Sequence, residues 1–584
     1  MKLLLSGNEA AARGAWEAGA TFGSAYPGTP STECMEAFAE YDDVYAEWAI
    51  NEKVAYESAI GASVAGARVL TTMKHVGVNV AADPMFTSAY TGVNGGFVIF
   101  AADDPGMHSS QNCQDSRFYA LASHIPCLEP SDSNEAYAYT KTAYALSERF
   151  DVPLMVRSSV RVSHTKCPVE VGDKVDYVAK TYQKDSMKWV MMPAGAKFRR
   201  ARQIERITLL ESFAEETELN LLESFGKSDA NDIREYGFVC SGPVYQYIKD
   251  AIEEADLSAN VLKLGMVYPL CKNKLQKIRK QSAKLFVIDE GSEYLSQMIS
   301  SLGIAIDDTP KDIKAIGELS KRDIKYALDL PLDEGIQTPK DIIARPPALC
   351  AGCPHRLVYK ELSRLHAIVT GDIGCYTLGS LPPLSCMDTC ICMGASVSMM
   401  HGFNASGIKY DRPIVSVIGD STFAHSGVSS LISMVYNGGS GTVCVLDNRT
   451  TAMTGHQGNP FNGKTLQNKT SRELDIEGLC KAIGVKHVLT VDPYDMNAVR
   501  NALKEETSFE GVSVIVFKRP CVLLEKIKSK PYFVGDCKGC GICLTLGCPA
   551  ISKTEQGLAS ISADQCIGCG QCCQYCSFKA INRL

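Results

Sequence analysis

Short β-branched runs alternate with helix-periodic stretches over most of the chain. "KLLLSG" at the start is an apolar run of strand length, and "NEAAARGAWEAGA" follows it with helical spacing. "TFGSAYPGTP" gives a second strand that ends in a Gly/Pro loop. "VNGGFVIFAADDPG" and "FDVPLMVRSSVRV" are further strands with loops rich in Gly, Asp and Ser. Strand alternating with helix predicts a doubly wound parallel sheet, and the opening leucines read as its first buried strand.

The pattern changes after residue 165. "AKFRRARQIERITLLESFAEETELN" is charged and helix-periodic, so residues 166–235 are expected to form a helical connector. "YGFVCSG", "VLKLGMVYP" and "AKLFVIDEG" then read as the strands of a middle α/β domain over 236–335. The proline-bearing "IQTPKDIIARPPALC" marks a linker into a third α/β domain, 336–525. Its strands "AIVTGD", "IVSVIGD", "TVCVLDN" and "VSVIVFKRPC" each run directly into a polar or reactive residue. "EKIKSKPYF" is a second linker, and a cysteine-rich tail fills 526–584. The tail has few aliphatic residues, so a domain this small needs a staple such as a metal cluster.

A chain of 584 residues, 45% hydrophobic and 21% charged, fits three to five globular domains. A net charge of −7 favours neither nucleic acid nor an anionic membrane. No apolar run approaches the ~18 residues of a membrane span, and the three-leucine start is too short for a signal-peptide core. A cytoplasmic location is therefore expected. The 24 cysteines alter the picture: without an export signal, clustered cysteines read as metal or cluster ligands in a reducing compartment.

In the tail, Cys537, Cys540 and Cys543 stand at successive CxxC spacing, with Cys548-Pro549 after them. Cys566, Cys569 and Cys572 repeat the run, followed by Cys576. This is the double run of bacterial ferredoxins, in which the fourth cysteine of each run ligates the other cluster. One [4Fe–4S] cluster then takes Cys537, Cys540, Cys543 and Cys576, and the second takes Cys566, Cys569, Cys572 and Cys548. The alternative, two zinc ribbons, would want two cysteine pairs separated by a longer loop. Cys573 is left over and reads as core packing.

The third domain carries a second constellation. "GDSTFAHSG" follows the strand "IVSVI", and "LDNRTTAMTG" follows the next strand, "TVCV". Gly419-Asp420 and Asp447-Asn448 at this separation resemble the thiamine diphosphate motif. A diphosphate needs a divalent metal, and Mg²⁺ wants oxygen ligands in an octahedron. Asp420 supplies a carboxylate, Asn448 an amide oxygen, and the backbone carbonyl of Thr450 the usual third. Ser421 stands where the motif usually has Gly. Cys350 and Cys353 in "CAGCPHR", Cys375 in "GDIGCYTLG" and Cys521 in "KRPC" belong to the same domain. Cys375, Asp420, Asn448 and Cys521 all follow strands, and ligands of open α/β sheets gather at carboxyl ends of strands. These four cysteines could hold a third [4Fe–4S] cluster. The alternatives are a CxxC redox pair or inert buried thiols. Cys386, Cys390 and Cys392 read as structural.

"LCAGCPHR", "GDIGCYTLG", "CICMGAS", "GDSTF" and the tail together resemble the 2-oxoacid:ferredoxin oxidoreductases, most closely the large subunit of those acting on indolepyruvate. The resemblance covers essentially the whole chain. It implies, in order, a pyrimidine-binding domain, a connector, a middle domain like the C-terminal domain of transketolase, a diphosphate-binding domain and a 2[4Fe–4S] ferredoxin domain. It implies Glu52 as the glutamate at the aminopyrimidine, aligned in "EWAINEKVAYESAIGASVAGA" better than Glu47 or Glu57. It places Thr29 of "YPGTP" near the 2-oxo acid and Gly394 of "CICMGAS" at the cofactor together with Gly419. Lys74 and His75 of "TTMKHVG" could assist with the carboxylate or with a proton, although a lone histidine is more often structural. Met453 stands where the pyruvate enzymes carry Asn, and a larger apolar wall suits an aryl side chain.

The resemblance implies oxidative decarboxylation of an aryl pyruvate, with CoA taking the acyl group and electrons leaving through the clusters to external ferredoxin. It implies thiamine diphosphate and Mg²⁺ as cofactors, a smaller β subunit as partner in an α2β2 assembly, and an anaerobic source. Three rivals stay open: another 2-oxo acid, pyruvate or branched-chain, as substrate; a non-oxidative decarboxylase; and a non-catalytic electron-transfer subunit. The second has no use for the tail, and the third has no need of Glu52, Asp420 and Asn448 together.

Overall fold

Four adjacent parallel strands, Phe97–Asp103, Arg68–Lys74, Ala20–Ala25 and Tyr45–Trp48, form the working half of the first sheet. The computed structural model describes residues 1–228, 233–314, 316–332, 334–335, 339, 341–343, 346–525 and 529–584. They fall in two units, Met1–Gln337 and Thr338–Leu584.

In the first unit a seven-stranded sheet continues from Phe97–Asp103 to Leu154–Ser159 and Cys127–Leu128, also parallel. "FVIFAAD" is buried along its whole length, as a central strand covered on both faces requires. The helix Glu52–Ala65 starts because Asn51 caps it, its side-chain oxygen accepting from the Val54 amide at 2.9 Å. The helix stops at Gly66 in the left-handed conformation.

A second, four-stranded sheet has the order Ser282–Val287, Arg234–Ser241, Ala259–Leu264, Asn220–Phe225, with the last strand antiparallel. A buried ion pair, Arg117 with Asp289, joins the two sheets of this unit, and further buried pairs reinforce the first. Arg117 donates to Asp289 at 2.7 Å and to Asp115, while Arg157 donates to Asp103 at 2.9 Å and to Glu129. The connector helix Pro193–Glu216 is lashed to the first layer by Arg199 and Arg206, both donating to Asp151.

Three expectations from the sequence need correction here. The opening strand, Lys2–Ser6, is not in the main sheet. It pairs antiparallel with Lys166–Glu170 alone, and Leu4 is 64% exposed because no layer covers its outer side. The connector does not stay helical: Asn220–Phe225 becomes the edge strand of the second sheet. "VLKLGMVYP" is not one strand, since Ala259–Leu264 stays in the second sheet while Met266–Tyr268 pairs antiparallel with Cys127–Leu128 of the first.

The second unit is built on a six-stranded parallel sheet. Its order is Thr389–Cys390, Ile368–Gly371, Ile414–Gly419, Gly441–Asp447, Val512–Lys518, His487–Val491. Val358, Tyr359 and Leu362 of the helix His355–Arg364 belong to one hydrophobic core of this sheet, and Val397 and Met400 of the helix Ala395–Ala405 to the other. The tail forms two small antiparallel pairs, Tyr532–Val534 with Ile581–Arg583 and Ile551–Lys553 with Ala559–Ile561. Leu357, Leu546, Ala559 and Ile581 make up much of its core, together with Cys543 and Cys572. No helix among the described residues is long and apolar enough to cross a membrane.

Candidate functional site

In the first unit, the residues that follow the four adjacent parallel strands collect along one edge, as parallel pairing demands. Thr29 lies in the loop after Ala20–Ala25, and Glu52 opens the helix after Tyr45–Trp48. Lys74 and His75 end Arg68–Lys74 and begin the next helix, and Asp104 follows Phe97–Asp103. The Lys74 ammonium donates to the Ser109 carbonyl at 2.7 Å, and the Ser109 hydroxyl donates to the Thr29 carbonyl at 3.5 Å. Burial, partly offset by the Asp104 carboxylate, brings Lys74 down to about 8.

Glu52 is buried and lies over Gly77. A β-carbon there would stand 2.7 Å from the Glu52 Cγ and Oε1, so the glycine makes room for the carboxylate. His75 is fully buried, and burial pulls its imidazole below the usual range. Its Nε2 is 3.1 Å from the Asn112 carbonyl, which only accepts, so Nε2 carries the proton. Nδ1 has no partner and presents a lone pair.

In the second unit, Gly419 ends its strand and Asp420 opens the helical turn that follows. Asp420 is 2% exposed; its carboxylate accepts from Asn459 Nδ2 at 3.0 Å and from the Ser421 amide at 2.8 Å. Burial first, and then the neighbouring Asp447 carboxylate, push it up to about 8. Asp447 has the Arg449 guanidinium at 3.9 Å, whereas the hydrogen-bond donors to Asp420 are neutral, so Asp420 ionises beside Asp447 only with a further cation. Asn448 and Thr450 are buried on the next strand's loop, where the Asn448 side-chain oxygen accepts from the Thr450 amide at 3.3 Å. A carboxylate, an amide oxygen and a backbone carbonyl form an all-oxygen donor set, which suits Mg²⁺.

Gly394 precedes the helix Ala395–Ala405. Its amide and that of Ser396 donate to Asp372 at 2.9 and 3.0 Å. Asp372 and Asn459 went unremarked in the sequence. Asp372 could have been found as the polar residue after "AIVTG", whereas Asn459 gave no signal. Met453 is 51% exposed on the loop beyond Thr450.

Electrostatic neighbours link several of the cysteines. Burial raises the Cys543 thiol, and Cys537, Cys540 and Cys576 raise it further. Burial raises Cys572, and Cys569, Cys548 and Cys566 add to it, as does Cys573. These last four sequence-paired residues, Cys548, Cys566, Cys569 and Cys572, also line a single largely apolar cavity. Burial takes Cys353 up to about 12, with Cys350 and Cys375 adding to the shift. Burial takes Cys375 to about 11, with Cys521 and Cys350 adding. The Cys521 amide donates to the Asn448 carbonyl at 3.0 Å, which ties this third set to the Asp420–Asn448 edge.

Backbone amides point at several of the sulfurs. Tyr532 donates to Cys566 at 3.3 Å, Gly539 to Cys537 at 3.4 Å and Ala580 to Cys576 at 3.2 Å, the kind of bond that tunes a cluster's potential. Among the described residues, no three imidazole, thiol or carboxylate groups converge on one point as a single ion would need. Cys573 donates to the Gly570 carbonyl, and Cys390 to the Asp372 carbonyl at 3.5 Å.

Two family models match the chain. "Pyruvate flavodoxin/ferredoxin oxidoreductase, thiamine diP-bdg" matches residues 13–213, and "Thiamine pyrophosphate enzyme, C-terminal TPP binding domain" matches residues 372–517. The indolepyruvate oxidoreductase subunit IorA of Archaeoglobus fulgidus is 36% identical over 99% of this chain and 97% of its own length. The proteins of the same name from Methanothermobacter thermautotrophicus and Thermococcus kodakarensis are 38% and 37% identical, over 99% and 100% of this chain and 97% of their own lengths.

Proposed function

The chain belongs to the family of indolepyruvate oxidoreductase subunit IorA, and from that premise we propose that it is the catalytic subunit of a ferredoxin-linked 2-oxoacid oxidoreductase. The reaction converts indolepyruvate, CoA and two oxidised ferredoxins into indoleacetyl-CoA, CO₂, two reduced ferredoxins and a proton. Kinship over essentially the whole length, with relatives bearing that name, carries this reading.

Thiamine diphosphate, when bound, supplies the nucleophile for the 2-oxo carbon and the sink for the electrons left by CO₂. Glu52 shares a proton with the ring nitrogen of the aminopyrimidine. Asp420, Asn448 and the Thr450 carbonyl hold the Mg²⁺ of the diphosphate, and Gly394 and Gly419 leave room for its approach. Thr29 meets the 2-oxo acid, and His75 offers Nδ1 to a proton beside it. Met453 gives an apolar wall to an aryl side chain, a preference that a hydrophobic contact makes only modest.

Cys537, Cys540, Cys543 and Cys576 hold one [4Fe–4S] cluster, Cys566, Cys569, Cys572 and Cys548 a second, and Cys350, Cys353, Cys375 and Cys521 a third. Residues 526–584 then act as the ferredoxin domain, and a smaller β subunit completes an α2β2 enzyme. Anaerobic viologen reduction by the chain and its small partner, with CoA and a panel of 2-oxo acids, tests this. Thiamine-dependent reduction fastest with aryl pyruvates is expected. No thiamine-dependent reduction with any acid would refute the enzyme, and a preference for pyruvate would refute the substrate.

A further inference from the structure

Three arginines rank among the largest fully buried side chains, and two of them are neutralised in place. Arg117 has Asp115 and Asp289, and Arg157 has Asp103 and Glu129. The third, Arg356 of "CAGCPHR", is 2% exposed and has no carboxylate partner among the described residues. Its guanidinium donates only to backbone carbonyls: Leu546 at 2.7 Å, Leu349 at 2.7 Å and Cys350 at 2.9 Å. Its Nε has no partner at all.

An arginine stays charged at any working pH, and a buried charge calls for a counter-ion. Arg356 lines the apolar cavity that Cys548, Cys566, Cys569 and Cys572 also line. On its other side it grips the carbonyl of Cys350, a member of the third set. Its charge draws down one thiol of each set, Cys569 and Cys353, against the burial that raises both. A [4Fe–4S] cluster held by four thiolates is an anion and gains one negative charge on reduction.

We infer that Arg356 is the shared counter-cation of two iron–sulfur sites, that of Cys350, Cys353, Cys375 and Cys521 and that of Cys548, Cys566, Cys569 and Cys572. Its charge holds both potentials up together, so that an electron passes between two sites under one field. The first tail set, Cys537, Cys540, Cys543 and Cys576, neither lines that cavity nor offers a carbonyl to Arg356. This role rests on the cluster assignment proposed above.

The test is a potentiometric titration of the loaded enzyme followed by EPR, with iron content measured beside it, for wild type, Arg356→Met and Arg356→Lys. Wild type should carry about twelve irons per chain. About eight would refute the cluster assignment and this role with it. Given twelve, Arg356→Met should lower two of the three potentials and leave the third where it was, while Arg356→Lys keeps all three near wild type. Three unchanged potentials in Arg356→Met with its iron retained would overturn the role alone. If Arg356→Met loses iron, Arg356→Lys decides. Retained iron with wild-type potentials supports the cation. Loss of iron from both, or a loaded Arg356→Lys with two lowered potentials, shows that the fold needs the hydrogen-bonding fork and not the charge.

Discussion

Gln571, between two cysteines of the second tail run, donates its side-chain amide to the carbonyl of Cys353 at 3.1 Å. It also donates to the Gly352 carbonyl at 3.3 Å, and the Tyr494 hydroxyl donates there as well. The "CAGC" turn of the sheet domain is thus fastened to the tail by its backbone. The two cysteine sets that Arg356 touches are held together by the same bonds.

Gly352 is the close-packed point of that junction. Its φ is 72°, and a β-carbon on it would stand 2.1 Å from Ile567 Cδ1. Gly352→Ala combines a left-handed backbone with overpacking, and should cost about 2–4 kcal/mol. Chemical denaturation should show that loss, and iron should leave the Cys548–Cys566–Cys569–Cys572 set first. Wild-type stability in the variant would mean the junction is slack.

Gly77→Ala should act through Glu52. The new methyl group would displace the end of a flexible side chain and not backbone, so the fold should survive. The carboxylate would move, and thiamine-dependent dye reduction should fall about 100-fold or more, as for Glu52→Gln. Full activity in Gly77→Ala would contradict the placement of Glu52.

Asp420→Asn removes a buried carboxyl that burial and the neighbouring Asp447 push up to about 8. Without metal the variant should melt above wild type. Mg²⁺ with thiamine diphosphate should stabilise wild type and leave the variant unmoved, while the iron content of both stays equal. A variant that still gains stability from the pair would place the metal elsewhere.

Lys74 gives a pH signature. Burial brings its ammonium down to about 8 in the fold, from the ordinary 10.5 of an exposed lysine. Below pH 8 it is charged in both states, and the fold bears the full penalty, on the order of 3 kcal/mol. Between pH 8 and 10.5 the unfolded chain binds more protons, so wild-type stability rises with pH. Lys74→Met lacks that slope. The variant's stability relative to wild type should therefore fall by the same amount across this window. A constant difference between the two proteins would show an unperturbed lysine.

The strand-end edges were legible because parallel strands announce their own ends. "IVSVIGD" and "TVCVLDN" put Asp420 and Asn448 on neighbouring loops, and CxxC spacing proposes sets of cysteines, several of which are electrostatic neighbours in the fold. Arg356 was not legible, since its partners are carbonyls as far away as Leu546, and any residue offers a carbonyl. Gly77 passed as one more small residue, because its neighbour Glu52 comes from another helix. The crossing of Met266–Tyr268 into the first sheet was hidden too: a strand's pattern does not say which sheet will accept its edge.

The most direct measurement is anaerobic EPR of the chain with its small partner, loaded with thiamine diphosphate and Mg²⁺, on mixing with indolepyruvate. Reduced [4Fe–4S] signals should appear in step with CO₂ release, and only when thiamine diphosphate is present. CO₂ released with no cluster reduced would make this a non-oxidative decarboxylase and contradict the account.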